Sequence, residues 1–226
     1  MNLPIPSAVR TLTCRAVLFD MDGTLVDSTA VVEEVWTEFA DRYGLDIAEI
    51  LRTSHGVQAG DTVRRFAPPG ADAVALTQEL GAMERVRTAG IVALPGAASL
   101  LRSLPGDAVA LVTSADRILA EIRMDAAGLA MPGAAVTADM VTRGKPHPEG
   151  YLRAAGLLGV APAEAVVFED APAGIAAALA ARMRTVAVGP NTGLLPAGVL
   201  HIPDYGAVSA SMETDDAGTR VISLRL

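Results

Sequence analysis

Apolar residues fall in two rhythms along this chain. Short runs at 16–19, 108–112 and 165–168 have the length of buried strands. Further strands are expected over 135–137 and 184–188, with an edge strand over 199–202. Between them, apolar positions recur at helical spacing over 97–104, 116–127, 149–158 and 175–182. Strands that alternate with helices in this way predict an α/β fold, a doubly wound and mainly parallel sheet. The tail, 207–226, ends in an alternating Val221-Ile222-Ser223-Leu224 run that predicts a small terminal hairpin. Residues 1–13, with two prolines, read as an irregular lead-in.

The stretch 28–90 has no strand pattern. Helices are expected over 29–43, 47–52, 61–66 and 71–87, broken by Gly56, Gly60 and Pro68-Pro69-Gly70. Val31, Val32, Val35, Trp36 and Phe39 form the apolar stripe of the first, with Ser28 as its N-cap and Gly44 as its C-cap. An all-helical insert after a first strand is a cap. The expected organisation is a core of 1–27 and 92–226 with a helical cap of 28–91 above the carboxyl end of the sheet.

Polar chemistry gathers where the strands stop. The first strand ends in Asp20-Met21-Asp22-Gly23-Thr24, the second in Thr113-Ser114, and the strand over 165–168 in Glu169-Asp170. Lys145 lies in a loop that Pro146 and Pro148 keep out of a helix. Each has an ordinary structural explanation: a solvated turn, a helix cap, a surface lysine, surface acids. A parallel sheet brings all of them to one rim, where open α/β sheets bind ligands. Adjacent carboxylates repel and need a cation or a shared proton to coexist. Oxygen ligands without a Cys or His cluster select Mg²⁺, with Asp20, Asp22, Asp170 and Glu169 as candidate ligands, Glu169 directly or behind the others. The set fits phosphoryl transfer. Asp20 is the nucleophile, Asp22 the general acid and base, and Lys145, Thr113 and the Ser114 amide hold phosphate oxygens.

DMDGTLVDS, VTS, RGKPHPEGYL and VVFEDAPAGI together resemble the four ordered motifs of the haloacid dehalogenase superfamily, in its branch with a helical cap after the first motif. EDAPAGI is similar to the β-phosphoglucomutase, 2-deoxyglucose-6-phosphatase and glycerol-3-phosphatase group. Ser54-His55-Gly56-Val57-Gln58-Ala59 with Ala93-Leu94-Pro95-Gly96 resembles bacterial sugar phosphatases. The resemblance implies a Rossmann-like core and Mg²⁺-dependent hydrolysis of small sugar or polyol phosphates through an aspartyl phosphate. His55 and Gln58 are then candidate contacts to sugar hydroxyls. Ala115, Arg182 and Gln58 depart from the commoner Gly, Gly and Arg. A phosphosugar mutase shares this core and is the alternative; a silent sugar-phosphate-binding protein is a weaker one, against the intact Asp20, Asp22, Lys145 and Asp170.

A net charge of −8 argues against nucleic acid as a partner. The single cysteine, Cys14, permits no intrachain disulfide and fits a reducing cytoplasm. No apolar stretch of ~20 residues suggests a membrane span, and the first residues carry no secretory pattern. The expected state is a monomer or weak homodimer.

Overall fold

In a computed structural model, which describes residues 10–190, 194–215 and 218–226, the chain opens with β1 (Thr11–Cys14), β2 (Ala16–Phe19) and β3 (Val26–Asp27). Helices α1 (Thr29–Tyr43), α2 (Ile47–Ser54), α3 (Ala59–Phe66) and α4 (Ala73–Val86) follow. The chain returns through β4 (Val92–Ala93), α5 (Ala97–Ser103), β5 (Val109–Val112), α6 (Arg117–Ala126), β6 (Ala134–Val136) and α7 (Glu149–Leu157). Then come β7 (Ala165–Glu169), α8 (Pro172–Ala180), β8 (Arg184–Val188), β9 (Leu200–Ile202), β10 (Ser209–Thr214) and β11 (Arg220–Arg225).

Six strands form one sheet in the order β6-β5-β2-β7-β8-β9, and every pairing is parallel. The strands at its centre are buried on both faces, which explains their unbroken apolar runs. Val17, Phe19, Val166 and Phe168 point to one face and pack with Leu100 of α5 and Leu119 of α6. Ala16, Leu18 and Val167 point to the other and meet Tyr151 and Ala154 of α7 and Ala177 of α8. Phe19 pairs with Phe168 in the ladder, and their rings stack at 5.2 Å. Each ring contributes about 1.5–3 kcal/mol by leaving water. That register makes Asp20 the neighbour of Glu169.

Helices α1–α4 share an apolar cluster of their own, with Trp36, Phe39, Ile50, Val63 and Leu80 inside. Asp46 and Asp72 cap α2 and α4 with their side chains, and Gly44 closes α1 in the left-handed region at φ 64°. The two crossings between this insert and the sheet run side by side as β3 and β4, Val26 against Ala93 and Asp27 against Val92.

The tail forms the expected hairpin, β10 against β11, and β1 adds to it in an antiparallel sheet ordered β1-β11-β10. Two expectations need correction. The lead-in is not irregular throughout: Thr11–Cys14 pairs with β11, while residues 1–9 lie outside the described residues. Ser28 sits at the N-cap position of α1 without capping it; the side chain of Asp27 accepts from Thr29 N instead. Arg182 stands just after α8 with φ 60°, the turn where a glycine is the ordinary choice. No helix among the described residues is long and apolar enough to cross a membrane.

Candidate active site

A parallel sheet delivers all its strand ends to one rim. Asp20 follows β2, Thr113 follows β5, and Glu169-Asp170 end β7. Asp20 N donates to Phe168 O at 3.0 Å, so the ladder continues to the rim and fixes the aspartate's backbone. Lys145 comes from the loop before α7. Its Nζ reaches Asp20 Oδ1 at 2.5 Å and Glu169 Oε1 at 2.7 Å.

Glu169 is fully buried and its acceptors are occupied. Oε1 takes Lys145 and, at 3.4 Å, the Tyr151 hydroxyl; Oε2 takes Ala171 N at 2.6 Å. Gly174 of α8 makes room for it, since a Cβ there would lie 1.5 Å from Glu169 Oε1. Asp170 is held by Thr24 Oγ1, which donates to Oδ1 at 3.1 Å. A Cβ on Gly23 would lie 2.1 Å from Asp170 Oδ2, so the glycine after the paired aspartates admits this carboxylate.

Oxygens of Asp20, Glu169 and Asp170 lie within 4.8 Å of one another, so this cluster can hold a metal ion. The electrostatics agree. Burial raises the Asp20 carboxyl to about 7, assisted by Glu169 and opposed by Lys145. Burial, then Glu169 and Asp20, raises Asp170 well above the aspartate range. Lys145 is held well above an ordinary lysine because Asp20 and Glu169 outweigh the cost of burying it. Three carboxylates around one ammonium leave an excess of negative charge, and all-oxygen donors suit a hard divalent cation.

The carboxylate of Asp22 stands outside that cluster. Ser28 Oγ donates to its Oδ1 at 2.6 Å, and Arg123 Nη1 donates to its Oδ2 at 2.9 Å. Arg123 Nη2 donates in turn to Glu84 Oε1 of α4 at 3.0 Å. Thr113 is buried and its Oγ1 accepts from Ala115 N at 3.1 Å. Ser114 Oγ donates to Gly56 O at 2.8 Å, a bond between sheet rim and insert. Neither Thr113 nor Ser114 caps α6, because Asp116 does.

A cavity of about 1260 Å³ opens above the rim, and Asp20, Asp22, Thr113, Ser114 and Asp170 line its floor. His55 and Gln58 line it from the insert, with Trp36 and Val32 as apolar wall. His55 Nδ1 bonds Leu51 O at 3.3 Å, and Gln58 Nε2 donates to Ala138 O at 3.4 Å. Lys145 and Glu169 stand behind this surface, both buried. His147 Nδ1 accepts from Glu149 N, a local structural bond.

Sequence reading passed over Thr24, Ser28 as a partner of Asp22, Tyr151, Glu84 and Arg123. The last two had a signal. Arg123 falls in the buried stripe Leu119, Ala120, Met124, and Glu84 lies one turn after buried Leu80. A charge on an apolar face needs a partner.

A sequence model described as "haloacid dehalogenase-like hydrolase" matches residues 14–182. Hexitol phosphatase A of Escherichia coli is 46% identical over 181 residues, 78% of this chain and 84% of that protein. Glycerol-1-phosphate phosphohydrolase 1 of Saccharomyces cerevisiae is 34% identical over 197 residues, 82% of this chain and 79% of that one. Among solved structures, a hydrolase from Pseudomonas syringae superposes with a TM-score of 0.72 at 30% identity, covering 83% of this chain and 92% of that one.

Proposed function

The chain belongs to the haloacid dehalogenase-like hydrolases, and from that premise we propose that it is a Mg²⁺-dependent phosphatase of small sugar or polyol phosphates, working through an aspartyl phosphate on Asp20. The observation that carries the reading is the convergence of Asp20 and Asp170 at the floor of one cavity with Lys145 and Glu169 buried directly behind them. The relatives named for hexitol and glycerol phosphates support the substrate class.

Asp20 and Asp170 would hold the magnesium, with Glu169 behind them because its oxygens already serve Lys145, Tyr151 and Ala171. When bound, the ion supplies positive charge to the oxygens of the transferring phosphoryl group. Lys145 occupies Asp20 Oδ1, which leaves Oδ2 to face phosphorus. Attack by Oδ2 forms the Asp20–phosphorus bond as the bond to the substrate's alcohol oxygen breaks. Asp22 gives that oxygen a proton. In the second half Asp22 takes a proton from water, water oxygen bonds to phosphorus, and the Asp20–phosphorus bond breaks to release phosphate. Lys145, the Thr113 hydroxyl and the Ser114 amide balance the phosphoryl oxygens. The insert closes the cavity and excludes bulk water. All these groups come from one chain, and the single cysteine fits a cytoplasmic enzyme.

The test is phosphate release from a panel of hexose, hexitol and glycerol phosphates and phosphoglycolate, ranked by kcat/KM, with Mg²⁺ and with EDTA. Release from hexitol or hexose phosphates that Asp20→Asn abolishes is expected. Isomerised hexose phosphate in place of free phosphate would support transfer to a sugar hydroxyl instead. Release undiminished in Asp20→Asn would end the mechanism.

A further inference from the structure

Asp22 is held at both oxygens by groups that belong to different parts of the molecule. Ser28 stands where the chain enters the helical insert, and Glu84 lies in the last turn of α4, where it leaves. Between Glu84 and Asp22 sits Arg123 of α6, only 4% exposed, with one Nη on each acid. Its Nε has no hydrogen-bond partner among the described residues. Two acids therefore take up the hydrogen bonding of a buried guanidinium that joins the insert to the core.

Packing alone does not account for this arrangement. An apolar pair of similar size would tie α4 to α6 without the cost of burying charge. Oδ1 accepts from Ser28 and Oδ2 from Arg123, one bond each, so the carboxylate keeps further sites for a leaving-group oxygen at the cavity it lines. The two tethers instead fix how the carboxylate faces that cavity. Both tethers lead to the insert crossings that β3 and β4 hold side by side. A rotation of the insert about that short ladder moves Ser28 and Glu84 together relative to the sheet.

We propose, on the basis of the phosphatase reading, that Arg123 and Glu84 are positioning residues for Asp22, which make its freedom to transfer a proton depend on the seating of α4. Seated, Glu84 shares the guanidinium and weakens its hold on Asp22. Unseated, Arg123 keeps Asp22 to itself. Glu84 and Arg123 touch no substrate in this scheme; they act through Asp22.

The leaving group separates this role from a structural one. A sugar alcohol leaves only with a proton, whereas 2,4-dinitrophenolate leaves without one. Glu84→Gln and Arg123→Gln are expected to lower kcat for the best sugar phosphate about 10–100-fold, with KM changed less than about threefold. The pre-steady-state burst of dinitrophenolate should keep its rate within about threefold and its amplitude at one per folded site. Arg123→Lys, which retains one charged tether, should recover part of the sugar-phosphate rate. The double variant should lose little more than either single one, because the two residues act as one unit. Equal losses on both substrates, or no loss on either, would overturn the proposal. Glu84→Gln decides the matter if Arg123→Gln does not fold. Absence of sugar-phosphate turnover in the wild type would instead count against the phosphatase reading itself.

Discussion

Lys145 Nζ lies 2.5 Å from Asp20 Oδ1 across 125 residues of chain. The same ammonium reaches Glu169, and the Tyr151 ring centroid lies 5.3 Å from it. It is the cation that allows two buried carboxylates to stand side by side, and it fixes which oxygen of Asp20 is free. Removing one partner of a buried pair leaves the other uncompensated.

Lys145→Met should therefore cost far more than a lost phosphate contact. A drop of about 10²–10³-fold in kcat/KM is expected, the scale of a lost transition-state donor. Inhibition by inorganic phosphate should weaken as well. Lys145→Arg should not restore activity, because the planar fork has no room beside Tyr151 and Glu169 in a site where Lys145 is 7% exposed. Steady-state phosphate release with phosphate as inhibitor checks both. Wild-type activity in Lys145→Arg would show that only charge matters there.

The raised carboxyls give the metal-free protein a distinctive pH dependence. An acid raised by folding favours the fold while protonated. For Asp20 that contribution is complete below about 4, its unfolded value, and is lost as pH rises through about 7. Asp170 is raised in the same direction. Glu38, Asp107, Asp139, Glu149 and Glu164 are lowered instead, so their contributions are retained above the ordinary carboxylate range and stay flat between pH 5 and 7.5. In EDTA, Tm at pH 5 should exceed Tm at pH 7.5 by at least about 3 °C. Mg²⁺ should raise Tm more at pH 7.5 than at pH 5, because protons compete for the same oxygens. Asp20→Asn should flatten the EDTA profile. Thermal unfolding followed by circular dichroism reads all of these; a profile unchanged by Asp20→Asn would place the titrating group elsewhere.

The sheet and its rim were legible because β2, β5 and β7 are buried on both faces and read as unbroken apolar runs. The helical stretch was legible because Trp36, Phe39 and their neighbours repeat at helical spacing and form a cluster of their own. Asp20, Asp170 and Lys145 stood out by their position at strand ends and in a proline-bound loop, and the fold brings them together. What escaped were the links between distant segments. β1 was hidden because four residues with an exposed-to-buried pattern become a strand only when β11 supplies the partner. Ser28 was read as a cap from its local sequence, whereas its hydroxyl turns back to Asp22. Arg123 and Glu84 each stand on an apolar helix face that calls for a partner, but only the fold shows that the partner is the other residue.

Gly56 of the insert lies against the start of α8. It has φ 73°, and an added Cβ would lie 2.7 Å from Ala171 Cβ. Its carbonyl also accepts from Ser114. Gly56→Ala should hold the insert off the rim, with kcat/KM for sugar phosphates reduced at least about tenfold, the range of a misplacement near the chemistry. The core should be little affected, since Gly56 lies outside its clusters. Kinetics alongside thermal unfolding test this. A loss of stability without a loss of kcat/KM would show that the contact serves folding alone.

Two side chains of the insert, Gln58 and His55, turn acceptors toward the cavity. A carbonyl cannot donate, so Gln58 turns its Nε2 to Ala138 O and leaves Oε1 for a ligand. His55 spends its Nδ1 proton on Leu51 O, which turns Nε2 to the cavity side of the ring. Such groups suit the donor hydroxyls of a sugar or polyol and disfavour a carboxylate or a second phosphate. Hexitol and hexose phosphates should accordingly exceed phosphoglycolate in kcat/KM by at least about tenfold, since a site with unmatched polar groups rejects the wrong partner strongly. Gln58→Arg should reverse part of that preference, because it adds a cation facing the cavity. Gln58→Ala should lower selectivity among the sugars without favouring the anionic substrate. Competition assays with paired substrates separate these outcomes. A Gln58→Arg enzyme with an unchanged ratio would remove Gln58 from the part of the cavity that reads the substrate.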